Sequence, residues 1–144
     1  MRKLTSMART MQTLQKSIMN QLSKGEEKMN DQVLYIIDFD VTEGKEADMQ
    51  QLIEDLMEST SKESGVLNYH WAKNGNIYDS LEHFESSKAA YNHLTNFAEK
   101  FAERYMSLGT VLSTTVYGNP DTAVKAILDG FGAVYKETIA NYGK

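Results

Sequence analysis

From Val33 the polarity of the chain alternates with a period of two. Val33, Tyr35, Ile37, Phe39 and Val41 share one side, and Leu34, Ile36, Asp38 and Asp40 share the other. Alternation rich in β-branched and aromatic residues predicts a strand. Thr42, Glu43, Gly44 and Lys45 supply turn chemistry. From Ala47 the apolar positions Met49, Leu52, Ile53, Leu56 and Met57 take up helical spacing until Ser64 and Gly65 stop them, which predicts a helix of about 18 residues. Leu67, Tyr69 and Trp71 then alternate with Val66, Asn68 and His70 on a second strand. Asn74-Gly75 is a hairpin signal, and Ile77 to Phe84 forms a third strand, antiparallel to the second. Ser86 or Ser87 caps a second helix, whose apolar positions Ala89, Ala90, Leu94, Phe97, Phe101 and Tyr105 continue past a break near Thr95-Asn96 and end by Gly109. Thr110 to Tyr117 reads as a fourth strand closed by Gly118-Asn119-Pro120. A last helix runs from about Asp121 to Leu128, and Ala133 to Ile139 is either a fifth strand or an arm.

The order β-α-β-β-α-β is the split ferredoxin-like arrangement, an α+β fold with an antiparallel sheet and both helices on one sheet face. Leu34, Ile36 and Val66 are left for the other face, where they are too apolar to stay in water. A second subunit is the simplest cover, so a homodimer is expected. Three segments follow: an N-terminal extension over 1–28, the main domain over 29–120, and a C-terminal helix and tail over 121–144.

Charge separates the first segment from the rest. Residues 1–25 hold Arg2, Lys3, Arg9, Lys16 and Lys24 and no acid, so the remainder carries −10 in a chain whose net charge is −5. Leu4, Met7, Met11, Leu14, Ile18 and Leu22 recur at helical spacing, which predicts a basic amphipathic helix, with Gly25, Glu26, Glu27 and Lys28 as a linker. Such a helix suits a membrane surface, an organelle-targeting role or a partner. The plainer readings are an extension packed on its own or a neighbouring subunit, or sequence upstream of a start at Met29. The negative balance of the main domain argues against nucleic acid as a partner. No apolar run approaches the roughly 18 residues needed to span a bilayer, and a cytoplasmic setting is expected. There is no cysteine, hence no disulfide, thiolate nucleophile or thiolate metal site. A Gly-rich phosphate loop, a GxSxG turn and an HExxH helix are also lacking. His70, His83 and His93 lie on two strands and a helix without ligand spacing, so no metal site is expected.

Chemistry is therefore best sought in YDSLEHFESSKAAYNHL, residues 78–94, where a strand runs into a helix and two of the three histidines lie. This stretch carries a resemblance. FDVTEG at 39–44, ESGVLNY at 63–69, and EHFES at 82–86 followed by Ala89 and His93-Leu94 together resemble the antibiotic biosynthesis monooxygenase family of the dimeric α+β barrel superfamily, over about residues 31–120. The resemblance implies a homodimer whose two sheets close into a barrel, with a pocket between sheet and helices in each subunit. It also implies small-molecule substrates. Members oxidise quinols or polycyclic phenols with molecular oxygen and no cofactor, degrade haem, or isomerise a signal molecule, so the family does not fix the reaction.

By the same resemblance His93 stands where quinol-oxidising and isomerase-like members have a histidine. An imidazole with a pKa near neutrality is a natural base for a phenolic proton. Glu82 shares a strand face with Phe84 and Ser80 and is placed to orient His93 or to bind a substrate hydroxyl. Tyr69 and Trp71 on one strand, with Phe84 and Tyr78 on the next, are candidate walls for a flat ring, though core packing explains any of them equally well. Departures from the family also matter. Phe84 replaces a tryptophan of several members, Ser80 replaces an asparagine of the polyketide-oxidising members, and Ala90 replaces their tyrosine. Tyr91 is adjacent but about 100° further round the helix. Haem-degrading members carry an asparagine at the position of Ile37 and an axial histidine in the helix, where Phe97 to Tyr105 holds none, so haem has no ligand here. Two functions remain: a cofactor-independent oxygenase or isomerase with His93 as base, or a non-catalytic dimeric ligand-binding or stress-associated module. A cavity reached by both Glu82 and His93 favours chemistry, and a filled core favours the second.

Overall fold

In this computed structural model residues 7–18 and 32–143 are described. Residues 7–18 form helix α1. There follow β1 (Val33–Val41), α2 (Glu46–Ser61), β2 (Val66–Asn74), β3 (Ile77–Phe84), α3 (Ser87–Lys100), α4 (Ala102–Met106), β4 (Gly109–Tyr117), α5 (Thr122–Asp129) and β5 (Ala133–Lys136). The sheet order is β2-β3-β1-β4-β5. Its first four strands are antiparallel, as ferredoxin-like topology requires, and β5 adds to the edge in parallel with β4. The sheet is thus mixed and open, where a purely antiparallel one was expected.

The period-two pattern of β1 becomes the architecture. Val33, Tyr35, Ile37, Phe39 and Val41 are all buried beneath the helices. Two apolar clusters form there. One joins Val33, Tyr35, Phe84, Ala90, Leu94 and Val116 to Val124 and Leu128 of α5. The other joins Phe39, Val41 and Tyr78 to Met49, Leu52 and Leu56 of α2 and to Tyr105 and Leu108. Both longer late helices start on side-chain caps: Ser86 accepts from the Ala89 N–H at 3.1 Å and Asp121 from the Val124 N–H at 3.0 Å. The break in the second helical segment falls at Phe101, not Thr95-Asn96. The Thr95 hydroxyl bonds back to the carbonyls of Tyr91 and Asn92, which lets this polar pair sit inside the helix.

Where β2 begins, the sheet corrects one expectation. A register shift between Val66 and Asn68 inserts an extra residue, so Val66 pairs with Phe84 and packs inward while Leu67 is 49% exposed. Val66 therefore leaves the outer face, which keeps Leu34 and Ile36 half-buried and Val134 exposed. On α1, Met7, Met11, Leu14 and Ile18 are exposed, while Leu4, Leu22 and the 25–28 linker lie outside the described residues. No described helix is long and apolar enough to cross a membrane.

Phe39 is fully buried and stacks on Tyr105 at a centroid distance of 4.1 Å, tying β1 to α4. Replacing Phe39 by alanine should cost about 3–5 kcal/mol, by loss of transfer energy and creation of a cavity. Urea denaturation with an unchanged slope checks this.

Candidate active site

Between the two clusters the core does not close. A small pocket there is lined by Ile37, Tyr69, Trp71, Ser80, Glu82, His93, Leu94, Phe97, Tyr105 and Phe131. The alternation of β3 turns Ser80 and Glu82 toward it, and the helical spacing of α3 puts His93 and Leu94 on the buried stripe that faces the sheet. Phe131, just after α5, closes one side. Its carbonyl accepts from the Thr114 hydroxyl at 3.0 Å, so the C-terminal segment completes the cavity of its own chain.

The polar end of the cavity is one connected array. Glu82 Oε1 accepts from the Tyr35 hydroxyl at 2.8 Å and forms an ion pair with His93 Nε2 at 3.0 Å, and Oε2 accepts from the Ser80 hydroxyl at 2.8 Å. On the other side of the imidazole, Nδ1 is 2.7 Å from Glu63 Oε2. The other Glu63 oxygen accepts from Asn96 Nδ2 at 3.3 Å, and Asn96 also donates to the Ser59 hydroxyl at 3.1 Å. Two rings brace His93: Tyr69 meets it edge-on at 5.2 Å and Phe84 at 5.1 Å. Both ring nitrogens thus face carboxylates, which requires both to be donors. Burial alone would depress the His93 pKa, but bonding to Glu63 and Glu82, together with their charges, overcomes this and raises it to about 9. The raised pKa favours the protonated imidazole at neutral pH, with a carboxyl group facing each ring nitrogen. Burial first, and the Glu82 charge next, push the Tyr35 hydroxyl well above its ordinary range, so it stays a donor.

The sequence-derived candidates divide by placement. Ile37, Tyr69, Trp71, Ser80, Glu82 and His93 are all on the cavity wall. Phe84 is buried behind His93, stacked on Tyr35 at 5.9 Å, and braces the ring without lining the cavity. Tyr78 is buried in the second cluster. Tyr91 is 42% exposed and does not line the cavity, because its one-residue offset from Ala90 turns it to the outer side of α3. His70 is exposed, and His83 bonds Gln32 at 2.8 Å. No group of three metal-ligating side chains occurs among the described residues. Sequence reasoning missed Glu63, Tyr35 and Phe131. The carboxylate of Glu63 directly before the Gly65 turn, at the mouth of a strand carrying two ring residues, was the available signal for the first.

Comparison with known proteins now bears on this geometry. The antibiotic biosynthesis monooxygenase family matches residues 33–104, and the chain belongs to that family. Among solved structures it is similar to MupZ from Pseudomonas fluorescens, with 23% identity and a TM-score of 0.72, covering 81% of this chain and 91% of that one. It is also similar to SnoaB, a cofactor-independent oxygenase from Streptomyces nogalater (16%, TM-score 0.53, 64% and 96% covered), and to Rv0793 from Mycobacterium tuberculosis (21%, 0.52, 64% and 98%). At these identities the likenesses speak to the fold. No curated protein matches.

A folded-state pKa of about 9 against the ordinary 6.5 has a definite sign. The raised pKa adds stability that is fully present below about 6.5 and is lost as pH rises through about 9. The loss is on the order of 3 kcal/mol. Chemical denaturation across that window should show the decline, and His93→Gln should flatten it.

Proposed function

We propose that this chain is a cofactor-independent monooxygenase of a small quinol-like or enolisable aromatic compound, working through Glu63, His93 and Glu82. The observation that carries the reading is that the carboxylate of Glu82 and the imidazole of His93 both lie on the wall of a cavity rather than inside filled core. A purely structural ion pair needs no such space.

The proton chemistry differs from that of a free histidine base. With a pKa of about 9 and both nitrogens engaged, His93 is an acid and charge partner near neutrality. Glu82 has three of its roughly four acceptor sites filled, by Tyr35, Ser80 and His93, which leaves one on Oε2. A substrate hydroxyl or acidified C–H directed at Oε2 gives its proton to the carboxylate, and the adjacent imidazolium stabilises the anion that forms. That anion reduces oxygen. When an activated CH2 becomes C=O, one oxygen atom enters the substrate and the other leaves as water with both hydrogens, so the balance needs no outside reductant. Ile37, Leu94, Phe97 and Phe131 keep the ring and the anion away from bulk water.

A second reading is an isomerase on the same site. Its support is that an acid and a base share one wall, which suffices to move a proton between two carbons without oxygen. The chain is further proposed to act as a homodimer through the outer sheet face bearing Leu34, Ile36 and Val134, in a cytoplasmic setting.

Oxygen uptake with a panel of hydroquinones and naphthoquinols should exceed autoxidation and fall at least about tenfold in Glu82→Gln, a removed general base costing 10²–10⁴ in typical cases. If uptake stays at background but the protein speeds deuterium exchange into an enolisable ketone without oxygen, the isomerase reading replaces the first. The rate should fall as pH rises above about 9, and Glu63→Gln should move that limb to lower pH by removing one support of the imidazolium. Light scattering should give about twice the 16.3 kDa chain mass, and a single-chain mass would remove the dimer.

A further inference from the structure

The polar pair Thr95-Asn96 reads as a break in the second helix, yet α3 runs straight through it. Thr95 bonds back to carbonyls of its own helix, whereas Asn96 reaches away from it. Its Nδ2 lies 3.3 Å from Glu63 Oε1 and 3.1 Å from the Ser59 hydroxyl oxygen. Asparagine is an unfavourable choice in a helix interior, because its side chain competes for the backbone's bonds. A residue that breaks a local rule in this way marks a position held for another purpose.

Asn96 stands three residues after His93, one turn along the same face of α3. The two side chains grip one carboxyl group between them: His93 Nδ1 faces Glu63 Oε2 at 2.7 Å, and Asn96 Nδ2 donates to Oε1. The amide fits only this way round, since turning it over would set its oxygen against a carboxylate oxygen with no proton between them. Such anchorage matters more for Glu63 than for Glu82. Glu82 lies on a strand with three bonded partners and 7% of its side chain exposed. Glu63 lies in the turn after α2 with 17% exposed, so its flexible side chain gains rotamer freedom and hydration by swinging outward. The other amide hydrogen of Asn96 holds Ser59, which ties the last turn of α2 to the same point. The titratable groups around the His93 ring are Glu63, Glu82 with Tyr35 bonded to it, and Tyr69, with Tyr105 on the same pocket wall. Of these, Glu63 is the one that Asn96 holds.

We propose that Asn96 is a positioning residue of this site: its amide holds Glu63 on His93 Nδ1, which turns the proton of the other ring nitrogen onto Glu82. It acts through Glu63 and is not among the residues that line the pocket. The inference rests on the Glu63, His93 and Glu82 array serving proton transfer, and it names the group that fixes the outer end of that array.

The test is a nitrogen-15 titration of the His93 ring in the full-length chain and three variants. Asn96→Leu keeps a side chain of similar size and removes both donor hydrogens. It should lower the His93 midpoint from about 9 by about half a unit to one unit, a roughly three- to tenfold loss of proton affinity. In Glu63→Gln the midpoint is already lower, and adding Asn96→Leu should move it by less than about 0.2 unit, because the carboxyl group it works through is gone. A midpoint that Asn96→Leu leaves in place would overturn the proposal. So would an equal fall with and without Glu63, which is what a general loosening of α3 would give. If Asn96→Leu does not fold, the wild-type protein decides: the Asn96 side-chain amide protons should shift with the same midpoint as His93, and amide protons blind to that titration would overturn the proposal. Should the variants behave as stated while no compound consumes oxygen, the oxygenase reading fails and the positioning role of Asn96 stands.

Discussion

A histidine held at both ring nitrogens by carboxyl groups, under a sheet and away from water, is the constraint on which the rest of this molecule depends. Isolated buried charges cost several kcal/mol each, and they persist only when paired and hydrogen-bonded. Glu82 meets that condition with Tyr35, Ser80 and His93, and Glu63 meets it with His93 and Asn96. These groups come from four places in the fold: Tyr35 from β1, Ser80 and Glu82 from β3, His93 and Asn96 from α3, and Glu63 from the turn after α2. The array therefore couples α3 and the turn after α2 to the centre of the sheet.

The cavity follows from the same constraint. Apolar side chains pack against one another on either side of the array, in one cluster around Phe84 and Leu128 and another around Phe39 and Leu52. Side chains committed to fixed polar bonds cannot slide to fill the seam between them. Ile37 and Leu94 face the seam from one cluster, and Tyr69, Trp71 and Phe97 from the other. Phe131 closes it from the C-terminal segment, which β5 and the Thr114 bond hold against the sheet edge. Space and a charge pair thus meet at one place, and this is the arrangement from which a proton-transfer site is built.

Much of the fold was legible because its periods are clean. The alternation from Val33 to Val41, the Asn74-Gly75 hairpin and the Ser86 cap each reflect a local rule that the tertiary structure respects. The misses have physical causes that single-chain patterns do not record. A one-residue bulge at Leu67 reverses the facing of Val66, back-bonding by Thr95 carries the helix through a polar pair, and a four-residue strand too short to show a period joins the sheet in parallel. The cavity wall was partly legible in the alternation of β2 and β3 and the spacing of α3. Glu63 carried only a weak local signal, since it lies 30 residues from His93 in sequence and meets it only in the fold. Tyr35 reads as one more apolar strand residue, and only its depth makes its hydroxyl a partner for Glu82.

The central claim is that His93 is an imidazolium at neutral pH, clamped at both nitrogens. Nitrogen-15 NMR of the labelled histidine rings through a pH titration tests it directly. The account predicts that both His93 nitrogens carry protons at neutral pH and that the ring titrates near 9. A His93 ring with one bare nitrogen at neutral pH, titrating near the ordinary 6.5, would contradict it. In that case His93 would act as a free base.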